Sequence, residues 1–444
     1  MKKNLLAALI LTSISLGACD TVSDMFGSED GPKLKGERVS VLELQKNLEP
    51  DDPAIAAQGL VMPEAWRNEF WPQAGGYPNH SMQNLALNSG ALKQIWQVDI
   101  GEGANDKLPL TAQPVLVEGR IFTLDTDSSI SAFDARTGKK LWATSVRASK
   151  EDDPVIGGGI ATSGGVLYAT NGYDEILALK PDTGLILWRK RLGSPSRAAP
   201  TIMDGRIFVT TLDNRLIALN AANGEKLWDY TGLSESAALV GAASAAASKD
   251  LVVPAFSSGE ITALRVENGA AAWTDNLANI RAAGGLGSLG DIKALPVIDK
   301  GLVIAVSFSG RLAAIDQSTG ARVWQRDIGS TNTPWVAGNH VFIIDSDQQI
   351  VALGRDTGAI VWVKPLPKFE RPDSRKDPIH WTGPLLAGGR LFAFSDKGMA
   401  AEISPADGKI MRTWDTGADV TISPIIAGGV MYVLGRDGTL AAYK

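Results

Sequence analysis

Asp134-Ala135-Arg136-Thr137-Gly138-Lys139-Lys140-Leu141-Trp142 is the stretch on which the fold of this chain turns. An aspartate opens a tight turn because its carboxylate bonds the backbone just ahead of it. A glycine closes the turn at positive φ, where other residues meet a steric cost. A strand follows, and its tryptophan stands four residues after the glycine. The core Thr-Gly-x-x-x-Trp returns at 183–188, 319–324 and 357–362, and looser copies run from Gly224 to Trp228 and from Gly269 to Trp273. Two further tryptophans, Trp96 and Trp414, lie six residues after Gly90 and Gly408. The eight residues Trp96, Trp142, Trp188, Trp228, Trp273, Trp324, Trp362 and Trp414 are 46, 46, 40, 45, 51, 38 and 52 residues apart. A period of about 40–50 residues in a strand-rich chain marks propeller blades.

Outward from that stretch, each unit carries the same local chemistry. Short apolar runs at 115–117, 121–124 and 130–133 are separated by Glu118-Gly119 and by 125–129, and 139–144 is the tryptophan strand. Four short strands joined by tight turns form one antiparallel blade. The third strand recurs in eight copies that begin at Ile130, Ile176, Leu216, Ile261, Leu312, Ile350, Met399 and Leu440. Eight third strands match eight tryptophan strands only if the first tryptophan strand, 92–100, docks onto the last three strands before Lys444. The predicted fold is therefore all-β: an eight-bladed β-propeller over 66–444, closed by an N-terminal strand that completes the C-terminal blade. Closure of this kind hides open sheet edges. A buried tryptophan covers about 150–250 Å², so a tryptophan at one point of every outer strand is expected to wedge between neighbouring blades. Trp66, Trp71, Trp335 and Trp381 fall outside this register and are expected either to line or plug a pocket or to pack in the core.

Ahead of the ring, Lys2 and Lys3 precede a mostly apolar stretch at 5–16, followed by Leu16-Gly17-Ala18-Cys19. That stretch is too short for a comfortable membrane span and reads as a signal peptide over 1–18. Small residues before the chain's one cysteine resemble the bacterial lipobox, in which Cys19 receives a diacylglycerol and becomes the N-terminus. Residues 19–65 read as a flexible tether, with a short amphipathic helix over 39–48. Asp20 resembles the inner-membrane retention signal of enteric bacteria, so either membrane remains open at this point.

The net charge of −6 in 444 residues and a pI near 5.3 argue against nucleic-acid binding, which leaves a basic footprint. The three histidines, His80, His340 and His380, have no metal-ligand spacing. Aspartates at 125, 127, 174, 213, 345, 347, 396 and 437 recur blade after blade, as turn chemistry does and a catalytic pair would not. Gly157-Gly158-Gly159 reads as a flexible connection. The segment 364–376, with Lys364, Lys368, Arg371, Arg375 and Lys376, is a basic excursion, either solvated or suited to an anionic surface. No catalytic residue, metal or cofactor is expected.

Asp-x-x-Thr-Gly-x-x-x-Trp is similar to the repeat of quinoprotein-type (PQQ-like) propellers. With the lipobox, the acidic tether and the eight-bladed closure, the chain resembles the BamB family, lipoprotein subunits of the outer-membrane β-barrel assembly machinery. The resemblance implies a non-enzymatic scaffold on the periplasmic face of the outer membrane. Such a scaffold binds the periplasmic domains of the barrel-forming subunit, BamA, and aids unfolded outer-membrane protein clients. It places the partner contact on two loops, 231–236 and 287–293. Leu233, Ser234, Glu235 and Asp291 are its candidate residues. Leu233 stands where a basic residue is usual and Lys293 where a second acidic one is. A quinone-dependent dehydrogenase on the same fold is the second reading, and an envelope sensor or adhesin the third.

Overall fold

The computed structural model describes residues 48–51, 60–148, 153–235, 239–278 and 290–444. The signal peptide, Cys19 and the tether up to residue 47 lie outside the described residues, as do Ser236 and 287–289 of the two candidate loops. Eight four-stranded antiparallel sheets succeed one another. Blade 1 comprises Val115–Val117, Arg120–Leu124, Ser129–Asp134 and Lys140–Ser145. Blades 2 to 7 repeat it, from Ile160–Ser163 of blade 2 to Ile410–Asp415 of blade 7. Blade 8 is made of Ile425–Ala427, Val430–Leu434 and Thr439–Tyr443, with Gln94–Asp99 paired antiparallel to the last. The N-terminal strand thus completes the C-terminal blade, as its sequence predicts. Second and third strands are almost wholly buried while outer strands alternate. Each sheet therefore packs on both neighbours, and only its outer strand meets water.

The tryptophans fasten the seams. Trp96, Trp142, Trp228, Trp273, Trp324 and Trp362 each donate the indole N–H to a backbone carbonyl of the next blade: Ala135, Pro181, Val266, Gln317, Arg355 and Pro405, at 2.6–3.1 Å. Those carbonyls belong to the turn between third and outer strands. The turn's glycine lies under the same ring: a Cβ on Gly358 (φ 66°) would fall 2.5 Å from Trp324. Glycine at that turn is thus required twice, for its backbone conformation and for the approach of the indole. At the seam between blades 2 and 3 the Ala221 carbonyl accepts from the Tyr168 hydroxyl instead (3.1 Å).

Blade 7 departs from the pattern. In six of the other sheets the pair just before the register shift of the third and outer strands is an alanine and the tryptophan, as Ala132 and Trp142 are, and in blade 8 Ala442 faces Trp96. In blade 7 that pair is Arg412 and Glu402. Trp414 therefore sits two residues past the tryptophan position, and the third-strand motif beginning at Met399 is one residue out of step. Trp414 packs edge-on against Phe392 and Phe394 of its own blade, and its indole nitrogen finds no partner among the described residues. The physical reason is topological. The next blade is the composite one, whose third and outer strands are joined by no hairpin, so there is no turn to clasp. Arg390 holds this seam instead, donating to the Gly90 carbonyl (3.0 Å), to the Asn88 carbonyl and to Glu402 (2.7 Å).

A strap over residues 63–90 crosses the ring axis and bonds every blade. Trp71 exchanges two backbone bonds with Leu116 of blade 1, and the Pro72 carbonyl accepts from Thr162 of blade 2. Gln73 accepts from Ile202 of blade 3 (2.9 Å). The Pro78 and Asn79 carbonyls accept from Ala247 of blade 4 and Ile298 of blade 5. Gln83 accepts from Trp335 of blade 6 (2.8 Å). Leu85 donates to Leu386 of blade 7, and the Asn68 carbonyl accepts from Gly428 of blade 8. Trp71, Met82 and Leu85 are fully buried in the strap's core. His80, buried and bonded to the Pro296 carbonyl (2.7 Å), is pushed down to about 4 by desolvation and stays neutral. Of the off-register tryptophans, Trp71 is buried with its indole N–H on Gln113 (3.2 Å), Trp335 holds the strap at Gln83 and Trp381 is buried beneath the basic segment, donating to Pro367. Trp66 remains part-exposed, its N–H on the Met82 carbonyl.

One sequence expectation changes locally. Gly158 and Gly159 are buried, and a Cβ on them would fall 2.0 Å from Thr170 and 2.6 Å from Ala199, so close packing explains them better than flexibility. The basic segment is a hairpin, Phe369–Arg371 with Lys376–Pro378, on the connection from blade 6 to blade 7.

Candidate partner-binding site

Because strands alternate in direction, the two faces of the ring differ. One carries the turns between first and second and between third and outer strands, together with the strap. The other carries the connections between blades and the turns between second and third strands. Both candidate loops are blade connections, so they share the second face, on either side of blade 4. The basic hairpin lies on that face as well.

The first loop leaves the outer strand Lys226–Thr231 through Gly232. A Cβ on Gly232 would meet the Phe256 ring at 2.8 Å, so only glycine lets the chain pass this close to blade 4. Two buried polar groups then hold the Leu233 backbone. Its N–H donates to Glu260 Oε2 (2.7 Å) and its carbonyl accepts from Asn214 Nδ2 (2.7 Å). Tyr230 and Thr262 donate to the other Glu260 oxygen (2.8 and 2.9 Å), and Asn214 Oδ1 accepts from Ser257. The Leu233 side chain, 61% exposed, stands on this clamp with Ser234 and Glu235 exposed beside it. Val240, further along the connection, is exposed too.

Asp291 is placed differently. It is 3% exposed, and its Oδ2 accepts from the Leu239 N–H (2.5 Å), which ties the second loop to the first. Its carbonyl accepts from Phe308 of blade 5. Burial pushes its carboxyl above the ordinary aspartate range, against the opposing pull of the Leu239 N–H and the Lys293 charge. The structure thus brings Leu233, Ser234 and Glu235 to the surface and sets Asp291 beneath them. The clamp of Glu260, Asn214 and Tyr230 was not legible in the sequence: each sits at an ordinary strand-end or turn position, and only the tertiary contact gives it this work. The strap did leave a signal, an off-register tryptophan followed by Pro72, Gly75, Gly76 and Pro78.

The described residues do not fit a quinone with its calcium. On the strap face the chain spans the axis at Gly75, which donates to Gln113 ahead of blade 1 (2.9 Å) and would carry a Cβ 2.9 Å from Leu295 ahead of blade 5, and among the described residues no three metal-ligating side chains converge. No helix of the described residues is long and apolar enough to cross a membrane.

Ring, seams and closure define a quinoprotein-type eight-bladed propeller whose axis is occupied by its own chain. The model of the family "outer membrane protein assembly factor BamB" matches residues 83–159, 126–364 and 370–444. The chain belongs to that family. An outer membrane protein assembly factor BamB of Yersinia pestis is 25% identical over 358 residues, covering 79% of this chain and 88% of the relative. The BamB of Escherichia coli K12 is 24% identical over 352 residues, covering 78% and 87%. Among solved structures, BamB from Moraxella catarrhalis superposes with a TM-score of 0.68 at 21% identity, covering 80% of this chain and all of the other. The quinohemoprotein alcohol dehydrogenase of Comamonas testosteroni shares the fold at a TM-score of 0.63 and 13% identity, covering 88% and 82%.

Proposed function

We propose that this protein is a non-enzymatic scaffold of outer-membrane protein assembly, held on the periplasmic face of the outer membrane by a lipid on Cys19. Its partner is the barrel-forming subunit, whose periplasmic domains dock on the Leu233–Glu235 loop, and its clients are unfolded β-barrel proteins. The observation that carries this reading is the clamp under Leu233. A large apolar side chain is held in water by a backbone fixed to buried Glu260 and Asn214, which lowers the ordering cost of binding at this residue. A preorganised apolar side chain of this kind serves as an aliphatic anchor where the partner offers it a pocket. Asp291 serves the contact as a positioning residue, joining the second loop to the first. The dehydrogenase neighbours share the fold, while an axis spanned by the chain itself favours a binding surface over axial chemistry.

Co-purification of the barrel-forming subunit with the tagged, membrane-anchored protein tests this. Leu233→Asp is expected to lower recovery at least about tenfold with unchanged thermal stability, since it puts a charge into an apolar contact. Unchanged recovery would overturn the docking site, and no recovery with the unsubstituted chain would overturn the role.

A further inference from the structure

We propose that the rim groove between blades 2 and 3 is a docking site for an extended, carboxylate-bearing peptide segment of a partner protein. The inference starts at another seam, where the chain itself shows what such a socket takes. Between blades 5 and 6, Asp51 lies against the outer strand Ile360–Pro365, whose outer edge pairs with no other strand of its sheet. The Asp51 N–H donates to the Ile360 carbonyl (3.1 Å), and the Asp51 carboxylate accepts from the Ile360 N–H (2.9 Å). Arg326, two residues after the clasping Trp324, reaches across the seam to the Gly358 carbonyl (2.6 Å) and to the same carboxylate (2.5 Å). At this seam Ile360 and Val361 are 4% and 2% exposed.

The seam between blades 2 and 3 repeats the parts as an open groove of about 540 Å³. Lys190, two residues after Trp188, is the counterpart of Arg326. Its stem lies over Gly224, the counterpart of Gly358, where a Cβ would fall 2.6 Å from Lys190 Cγ. Lys226 and Leu227 are the counterparts of Ile360 and Val361, and Leu227 is 45% exposed. Ile217, Leu219 and Leu192 make an apolar floor. Of the other cations that line the groove, Arg215 and Lys226 share Asp229 (2.7 and 2.8 Å), and Arg191 lies 3.6 Å from Asp174. Lys190 has no carboxylate partner among the described residues, and Glu225 is the one acidic residue in the lining.

The position is not cationic by habit of the repeat. At other seams it holds Val98, Thr144, Tyr230 and Trp414, and Asp275, which pairs with Arg322 (2.6 Å). Lys364, between blades 6 and 7, is the remaining cation. An extended segment on the outer edge of Lys226 would gain backbone bonds from the strand. Its aspartate would receive a charge-assisted bond from Lys190 and a second from the Lys226 N–H, as Asp51 does from Arg326 and Ile360. Apolar residues of the segment would cover Leu227. This site is on the rim and is independent of the linker-face contact proposed above.

The probe is a fluorescein-labelled peptide of the chain's own residues 47–56, Asn-Leu-Glu-Pro-Asp-Asp-Pro-Ala-Ile-Ala, added to the full mature protein. Its own Asp51 stays in place, because a tethered segment outcompetes one in solution. Fluorescence anisotropy is expected to show saturable binding that Lys190→Glu weakens at least about tenfold and that replacing both peptide aspartates by asparagine weakens similarly. Lys364→Glu is expected to leave it unchanged. Lys190→Ala, with loss of the salt dependence of binding, serves where the charge reversal perturbs folding. The proposal fails if the peptide does not bind at millimolar concentration, if Lys190→Glu or the asparagine peptide binds as before, or if only Lys364→Glu abolishes binding.

Discussion

Replacing Glu402 by alanine restores the residue that seven of the eight blades carry at this position, and it should nonetheless destabilise the ring. Seven seams are fastened by a tryptophan or tyrosine on the following turn. The seam between blades 7 and 8 has no such turn and depends on Arg390, 8% exposed, and Glu402, 2% exposed. Their charges meet at 2.7 Å, Arg412 lies 3.7 Å from the other carboxylate oxygen, and Arg390 continues to the Gly90 carbonyl. Glu402→Ala leaves a buried guanidinium facing carbonyls alone. Breaking a buried pair from one side costs about 3–5 kcal/mol, and the surviving carbonyl bonds place this case at about 3 kcal/mol. Equilibrium urea unfolding followed by tryptophan fluorescence reads it as a lower midpoint at unchanged slope. Arg390→Leu combined with Glu402→Ala orphans no charge and should recover at least about 1 kcal/mol of the loss. A Glu402→Ala midpoint equal to or above the original would refute the reasoning, and apolar packing would then be what closes the ring.

Other seams give sharper contrasts. Trp273→Phe should cost about 1 kcal/mol by depriving the part-buried Gln317 carbonyl of its donor, whereas Trp414→Phe should be near neutral because its indole nitrogen has no partner among the described residues; urea midpoints of the pair decide it. Burial raises Asp345 to about 6, so the native state holds a proton that the unfolded chain has released. Stability should therefore fall as pH rises from about 4 to above 6, by up to about 3 kcal/mol from this group. Asp345→Asn keeps an acceptor for the Gln349 N–H and should flatten that part of the profile; an unchanged slope would contradict it. Cys19→Ala should move the protein from the membrane pellet to the soluble periplasmic fraction, and pelleting that survives carbonate washing would count against the lipid anchor.

The repeat was legible because a blade is a local object. Turn residues, alternating strands and a tryptophan four residues past a glycine lie within one stretch of chain, and counting eight copies forces the closure by the N-terminal strand. The family resemblance was legible for the same reason, since its motif is that local packing element. What the sequence could not settle is whatever depends on a neighbour in space. Trp414 matches the pattern by residue type, yet only the absence of a turn in the composite blade explains why Arg412 stands in the clasping position and Glu402 replaces an alanine. Asp291 reads as a surface acid, yet its carboxylate is consumed by Leu239 beneath the loop. Glu260 and Asn214 look like ordinary residues at a strand end and a turn, and become a clamp only when blades 3 and 4 meet. The strap bonds six of the blades through backbone carbonyls and amides, groups that every residue carries, and its tryptophan, prolines and glycines marked the segment without showing which blades it meets. Short-range turn and strand chemistry therefore determined the architecture, while burial and hydrogen bonding between distant segments decided which residues of that architecture face a partner.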